Sequence, residues 1–187
     1  MTNATGIVPP ESIAKSVTVT GHYIATYRAP NQIDGQGAVE DWEVALLENT
    51  PSTAILVVRG LWSERLTPPA IAMANKVTVT GILMPHQNDD RAANSDNQLS
   101  RLDSALLTSR VDTQLYDGFV IAQNEKLRNE EVPSGSIERT RISQPVLSNG
   151  VPGFYWQHIS YVVVWWFMAA MVLWLPFYRG PRKEKLE

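Results

Sequence analysis

The sequence contains three histidines and no cysteine, which limits the chemistry that the protein can perform. His22 ends an alternating segment and His86 opens a polar stretch. Solvent exposure is the simplest interpretation of both, and a shared metal site is the lesser alternative. The lack of cysteine excludes disulfides, thiolate chemistry and cysteine-ligated zinc or copper. No P-loop, nucleophile elbow or His-Glu-x-x-His motif occurs, so we expect a protein that is not an enzyme.

His158 carries the strongest functional signal because it heads an otherwise apolar run. Ionisable groups at a membrane boundary usually have a partner or a task. In a helix, Val162, Trp165 and Ala169 share its face at steps of four and three. That face suits a heme edge with the imidazole as axial ligand. It equally suits packing on another membrane helix or anchoring at the interface, and the residues alone leave these alternatives open.

The run from Ile159 to Tyr178 is long enough to cross a membrane. Its twenty residues carry no formal charge, and a helix rising about 1.5 Å per residue spans the hydrocarbon core with this length. Aromatic residues flank both ends, as is typical of the two interfaces. Pro176 is predicted to kink or end the helix. The sequence therefore predicts one membrane-spanning helix.

The charges around the span predict its orientation. The tail of residues 179–187 has four basic and two acidic residues, whereas the rest of the chain has 12 basic and 17 acidic residues, a net of −5. Because short basic tails stay cytoplasmic, we expect residues 1–158 outside a bacterial cell membrane. Residues 1–15 lack the pattern of a signal peptide, so we expect an upstream span to carry this part across; the alternatives are translocation by the C-terminal span and a cytoplasmic domain. An acidic domain is not expected to bind nucleic acid.

The stretch before the span has the pattern of a β domain. The motif VTVTG occurs at Val17–Gly21 and at Val77–Gly81. It predicts two similar strands of one sheet or barrel, with glycines that permit a bulge or a close approach of backbones. Ser52–Trp62 is almost entirely apolar and predicts a central strand buried on both faces. Trp42–Glu48 is its expected hairpin partner.

Weaker patterns predict the remainder of this domain. A strand is expected at Phe119–Gln123 after a turn at Asp117-Gly118. Leucines at helical spacing in residues 99–110 predict a helix capped by Ser95 or Asp96. The segment of residues 137–143 could form a last strand.

The expected fold is thus mostly β, a β-rich α+β domain that is sheet-like or barrel-like, followed by one C-terminal transmembrane α-helix. Its four segments are an N-terminal extension (1–14), the extracytoplasmic domain (15–148), the linker and transmembrane helix (149–178), and the cytoplasmic tail (179–187).

Six motifs of the chain, in order, resemble those of the surfeit locus protein 1 family, the assembly factors of heme-copper terminal oxidases. They are VTVTGHY, ILVVRG, VTVTGILMP, RLDSALL, QLYDGFVIAQ and HISYVVVWWFMAA. The resemblance implies two membrane spans around an extracytoplasmic domain, oxidase subunits as partners, and a role in heme a insertion into cytochrome c oxidase. It also implies that His158 is a heme a ligand, with Tyr161 and Trp165 beside the macrocycle.

The chain also departs from the family pattern. The first span of the family is not in this sequence, and Val164 stands where members usually carry Gln. These departures favour an alternative function, in which the chain is a stable accessory subunit or interaction module of a respiratory oxidase supercomplex. Such a protein would hold no cofactor and would dock on oxidase or other respiratory subunits through its span and its acidic domain.

Overall fold

The computed structural model describes residues 8–50, 52–65, 76–127, 140–145 and 152–178. Contacts divide the chain into two units, Met1–Val146 and Leu147–Glu187. The predicted bounds of the extension, domain, linker and tail stay predictions. The described strands and helix are β1 (Ser16–Ile33), β2 (Val39–Thr50), β3 (Thr53–Leu61), β4 (Val77–Met84), β5 (Gln114–Leu127) and α1 (Pro152–Tyr178).

The strands close into a barrel in the order β1-β2-β3-β5-β4. Neighbouring strands are antiparallel except β3 and β5, which are parallel. The long strand β1 closes the barrel, because its first part pairs with β4 and its second part with β2. This is the topology of the OB-fold, a five-stranded Greek-key barrel. The prediction of a mostly β fold with one membrane-length helix is confirmed.

The two VTVTG repeats pair with each other. In the antiparallel β1–β4 register Val19 lies opposite Val79, and each repeat's glycine lies opposite a valine of the other strand. The threonines face each other across the pair, with hydroxyl distances of 3.2 Å for Thr18 and Thr80 and 2.9 Å for Thr20 and Thr78. The predicted similarity of the two strands is therefore a local twofold arrangement in the barrel wall.

The predicted hairpin around residues 50–53 is also confirmed. β2 and β3 are antiparallel, with Leu46 opposite Leu56. Residues 54–60 of β3 are buried throughout, as expected for a central strand covered on both faces. The apolar run of the sequence thus becomes the strand that carries both the antiparallel and the parallel neighbour.

The sheet is buried on both faces around β2 and β3. One core cluster contains inward side chains from all five strands, among them Tyr23, Leu47, Val57, Val79 and Val120. Alternate positions such as Trp42 and Leu46 are also fully buried. The segment between β4 and β5 contributes three more fully buried residues, Leu99, Leu102 and Leu107. Burial of each such leucine stabilises the fold by about 2 kcal/mol.

The helix predicted over residues 99–110 is wrong. Only a 3-10 turn at Ser104–Leu107 forms, and Asp103 caps it by accepting a hydrogen bond of 2.9 Å from Ala105 N. The expected caps at Ser95 and Asp96 are accordingly wrong as well. The physical reason is competition for backbone donors, since Leu99 N donates to Arg28 O and Leu102 N to Gln87 Oε1, both at 2.9 Å.

The turn predicted at Asp117-Gly118 is wrong, since both residues lie inside β5. They form an irregularity where β5 pairs with β3, and Gly118 has a φ of +124°, which only glycine adopts readily. The strand predicted at Phe119–Gln123 is confirmed as the centre of β5.

The described residues of the predicted last strand, Thr140 to Ser143, form no strand. Residues 137–139 of that prediction lie outside the described ranges. We call residues 140–145 the anchor segment, because side chains hold it in place. Arg141 Nη1 donates to Arg59 O at 2.9 Å, and Thr140 Oγ1 donates to Glu64 Oε1 at 2.7 Å. These side-chain bonds take the place of a strand ladder.

Helix α1 forms the second unit. It runs from Pro152 to Tyr178 and ends two residues after Pro176. Residues His158–Phe177 make a stretch long and apolar enough to cross a membrane, and none of it is buried against protein. An exposed apolar surface of this size needs lipid or another membrane helix around it.

Candidate functional site

The predicted site residues lie together on α1. His158, Tyr161 and Trp165 follow each other at steps of three and four, which places them on one face of a continuous helix. Tyr161 and Trp165 are 66% and 71% exposed. We call these three residues the His158 face.

The His158 face combines one imidazole with two aromatic rings. An imidazole is a common axial ligand of heme iron, and aromatic rings pack on a porphyrin. The three residue types therefore fit a heme. A single helix offers one wall, so a partner helix or the bilayer must cover the other side.

A second polar site lies inside the barrel, where charged side chains continue the inward-facing positions of the strands. Arg59 Nη2 lies 2.9 Å from Glu125 Oε2, and Arg59 Nη1 lies 3.2 Å from Glu43 Oε1. Arg141 of the anchor segment reaches Glu125 Oε1 at 3.0 Å. The side chains of Arg59 and Glu125 are 3% and 0% exposed. We call these four residues the barrel ion cluster.

The charges of the barrel ion cluster balance, because two guanidinium groups lie beside two carboxylates. Burial alone lowers the pKa of Arg59, but its interactions with Glu125 and Tyr23 together outweigh this effect, so the pKa is raised. The guanidinium carbon of Arg59 also lies 4.5 Å from the ring centre of Tyr23, which adds a cation–π contact. The cluster connects β2, β3, β5 and the anchor segment, so we interpret its role as structural.

Tyr23 makes the barrel sensitive to alkali. Burial, and next the Glu125 carboxylate, raise the pKa of Tyr23 well above its usual value near 10. A raised pKa contributes stability that is present below pH 10 and is lost as the pH rises further.

We expect Tyr23 to lower the free energy of unfolding by about 1.4 kcal/mol per pH unit above pH 10. Urea titrations at several alkaline pH values, with Tyr23→Phe as comparison, measure this slope. An equal slope in the variant would contradict the assignment.

The two remaining histidines lie in the barrel unit. His22 is partly buried in β1, opposite Glu48. His86 Nδ1 lies 2.7 Å from Asp117 Oδ1, with 41% of its side chain exposed. Asp117 lies in β5, 31 positions further along the chain, so no local sequence motif marks this pairing. Among the described residues no group of three or more potential metal-ligating residues gathers.

The barrel ion cluster was also missed by sequence reasoning. The sequence did contain an indication of it. Arg59 is two and four residues after Val57 and Ile55, and Glu43 is two residues before Ala45, so on regular strands these side chains point to the same face. A charged residue on the face of a strand that is otherwise buried needs an oppositely charged partner in the interior.

The fold and the helix define a class of protein, a small β-barrel domain joined to a helix able to anchor it in a membrane. The SURF1 family model matches residues 3–170, which covers both the barrel and most of α1, and the chain therefore belongs to the SURF1 family. This family is generally associated with cytochrome oxidase assembly, and it is an assembly-factor family not known as catalytic. Comparisons with curated proteins and with solved structures gave no match.

Proposed function

We propose that this protein assists the assembly of a heme-copper cytochrome c oxidase by holding heme a, as cargo, near the catalytic subunit. The observation that carries the proposal is the position of His158, an imidazole at the head of an exposed apolar helix in a SURF1 family chain. An imidazole in that place can donate a lone pair to iron at the level of the membrane interface.

Each residue of the His158 face has a role in this proposal. His158 supplies the axial nitrogen to the iron. The rings of Tyr161 and Trp165 lie against the macrocycle and keep water from it, and both are exposed on the helix surface. Heme a itself supplies the redox chemistry only after its transfer to the oxidase, so this chain needs to bind and release it without reacting.

The orientation of the chain follows from its charges. We place the barrel on the extracytoplasmic side of a bacterial cell membrane, because the tail after α1 is basic and the preceding chain is acidic. In this orientation His158 lies at the outer interface. The acidic barrel then faces the extracytoplasmic parts of oxidase subunits, which we propose as its partners.

The absorption spectrum of the purified protein tests the proposal. The chain is purified in detergent from cells that make heme a, beside His158→Ala and, as matched control, His22→Ala. We expect the heme a spectrum in the parent and in the control, and its loss in His158→Ala because the iron loses its ligand. Unchanged far-UV circular dichroism of all three would show that the variants are folded. Equal heme content in His158→Ala would refute the ligand assignment.

A second function fits the same helix. Ala169 and Ala170 lie within the exposed surface of α1, and small residues allow close approach of a second membrane helix. In this alternative the chain is a stable accessory subunit of an oxidase or supercomplex and carries no cofactor. A colourless protein that co-purifies with oxidase in a fixed ratio near one to one would favour it.

A further inference from the structure

The hairpin between β1 and β2 ends in an apolar pair. Ile33 and Val39 lie opposite each other in the register, so their side chains are neighbours on one face. They are 42% and 60% exposed. Within the described ranges they are the two large apolar side chains exposed outside α1, every other one being at least partly covered. We call residues 33–39 the hairpin tip.

The hairpin tip is held rigidly by its own turn. The Asp34 carboxylate accepts hydrogen bonds from Gln36 N at 2.8 Å and from Ala38 N at 2.9 Å. Gly37 has a φ of +86°, which suits the tight turn. The apolar pair is therefore presented in a fixed conformation.

The hairpin tip is also tied to the anchor segment. Ser143 Oγ donates to Asp34 Oδ2 at 2.9 Å, and Gly35 N donates to Ser143 O at 3.2 Å. A side chain at Gly35 would overlap the Gln144 carbonyl, which shows how closely the two segments approach. The hairpin tip and the anchor segment are thus fixed to each other.

The chain between the anchor segment and α1 is short. Six residues, 146–151, separate Pro145 from Pro152, the first residue of α1. A fully extended chain across this gap reaches at most about 25 Å. With α1 in a bilayer, this limit keeps the anchor segment, and with it the hairpin tip, within reach of the membrane surface.

We infer that the hairpin tip is a second membrane contact, with Ile33 and Val39 inserted at the lipid headgroup interface. Exposed apolar side chains at a rigid loop gain free energy on entering that interface. The contact would hold the hairpin tip at the membrane surface. It does not depend on heme binding.

The charges of the hairpin tip specify the lipid. Residues 33–40 contain Asp34 and Glu40 and no basic residue. Attraction to anionic headgroups is therefore excluded as the driving force, and insertion must rest on the apolar pair. We expect the contact in zwitterionic phosphatidylcholine, and we expect anionic phosphatidylglycerol to weaken it.

Site-specific fluorescence tests this inference, and the absence of cysteine from the chain makes labelling unambiguous. The full chain with Val39→Cys is labelled with nitrobenzoxadiazole and placed in phosphatidylcholine nanodiscs. Ser52→Cys is the matched control, because Ser52 is exposed in the turn at the other end of β2. Circular dichroism and thermal unfolding equal to the parent establish that both variants fold.

We expect the label at position 39 to emit at shorter wavelength and to be quenched by nitroxide lipids, while the label at position 52 behaves as in water. Equal behaviour of the two labels would overturn the inference. A shift at position 39 that occurs only when oxidase is present in the nanodisc would also overturn it, because the tip would then dock on protein instead of lipid.

Discussion

Replacing Arg59 with methionine is expected to lower the free energy of unfolding by about 3–5 kcal/mol, because it leaves buried carboxylates without their main counter-charge. Arg59 contacts both glutamates of the barrel ion cluster, Glu43 at 3.2 Å and Glu125 at 2.9 Å. Glu125 would keep Arg141, which is 23% exposed and therefore a weaker partner. Denaturant titration of the detergent-solubilised chain, followed by near-UV circular dichroism, measures the loss.

The matched control for Arg59→Met is Arg28→Met. Arg28 also pairs with a carboxylate, that of Asp41, but the two side chains are 45% and 29% exposed. Exposed pairs contribute up to about 1 kcal/mol, so the control should lose no more than that. An equal loss in both variants would show that burial does not set the strength of the barrel ion cluster.

The sequence predicted those parts of the fold in which periodicity and burial agree. The VTVTG strands have a clear pattern of two, β3 is a continuous apolar run, and β2 is its expected hairpin partner; the structure confirms all four strands. The apolar run of α1 was equally clear, because helices in the core of soluble proteins rarely have an uninterrupted apolar stretch of this length. In these elements local propensity and tertiary burial favour the same structure.

The errors arose where tertiary contacts override the local pattern. The leucines of residues 99–110 have helical spacing, but the backbone of Leu99 is bonded to Arg28 of β1 and that of Leu102 to Gln87. Asp117-Gly118 has the composition of a turn, yet the closed barrel uses it as an irregularity inside a strand. Neither outcome could be derived from a short window, because each depends on a distant partner.

The candidate site divides in the same way. The His158 face follows from helical spacing alone, so sequence was sufficient to assemble it, while its heme a ligation stays a prediction. The barrel ion cluster brings together residues up to 98 positions apart, from Glu43 to Arg141, and only the closed barrel places them in contact. Parity can mark such residues as buried, but it cannot name their partners.

Closure of the barrel depends on the glycines that end the two VTVTG repeats. A side chain at Gly81 would overlap the backbone carbonyl of Ile121, and one at Gly21 would overlap that of Glu48. Both obstacles are backbone atoms of neighbouring strands, which cannot rotate away. We expect Gly81→Ala and Gly21→Ala each to cost about 3 kcal/mol of unfolding free energy, the upper part of the range for overpacking.

Gly37→Ala separates lost space from lost backbone freedom. Gly37 has a φ of +86° but nothing lies within 4 Å of an added side-chain carbon. Its substitution should therefore cost only the strain of a left-handed conformation, about 1–2 kcal/mol. Denaturant titrations of the three variants under identical conditions give the comparison. A smaller loss at Gly81 and Gly21 than at Gly37 would mean that the strands can move apart, so that close backbone packing does not hold the barrel shut.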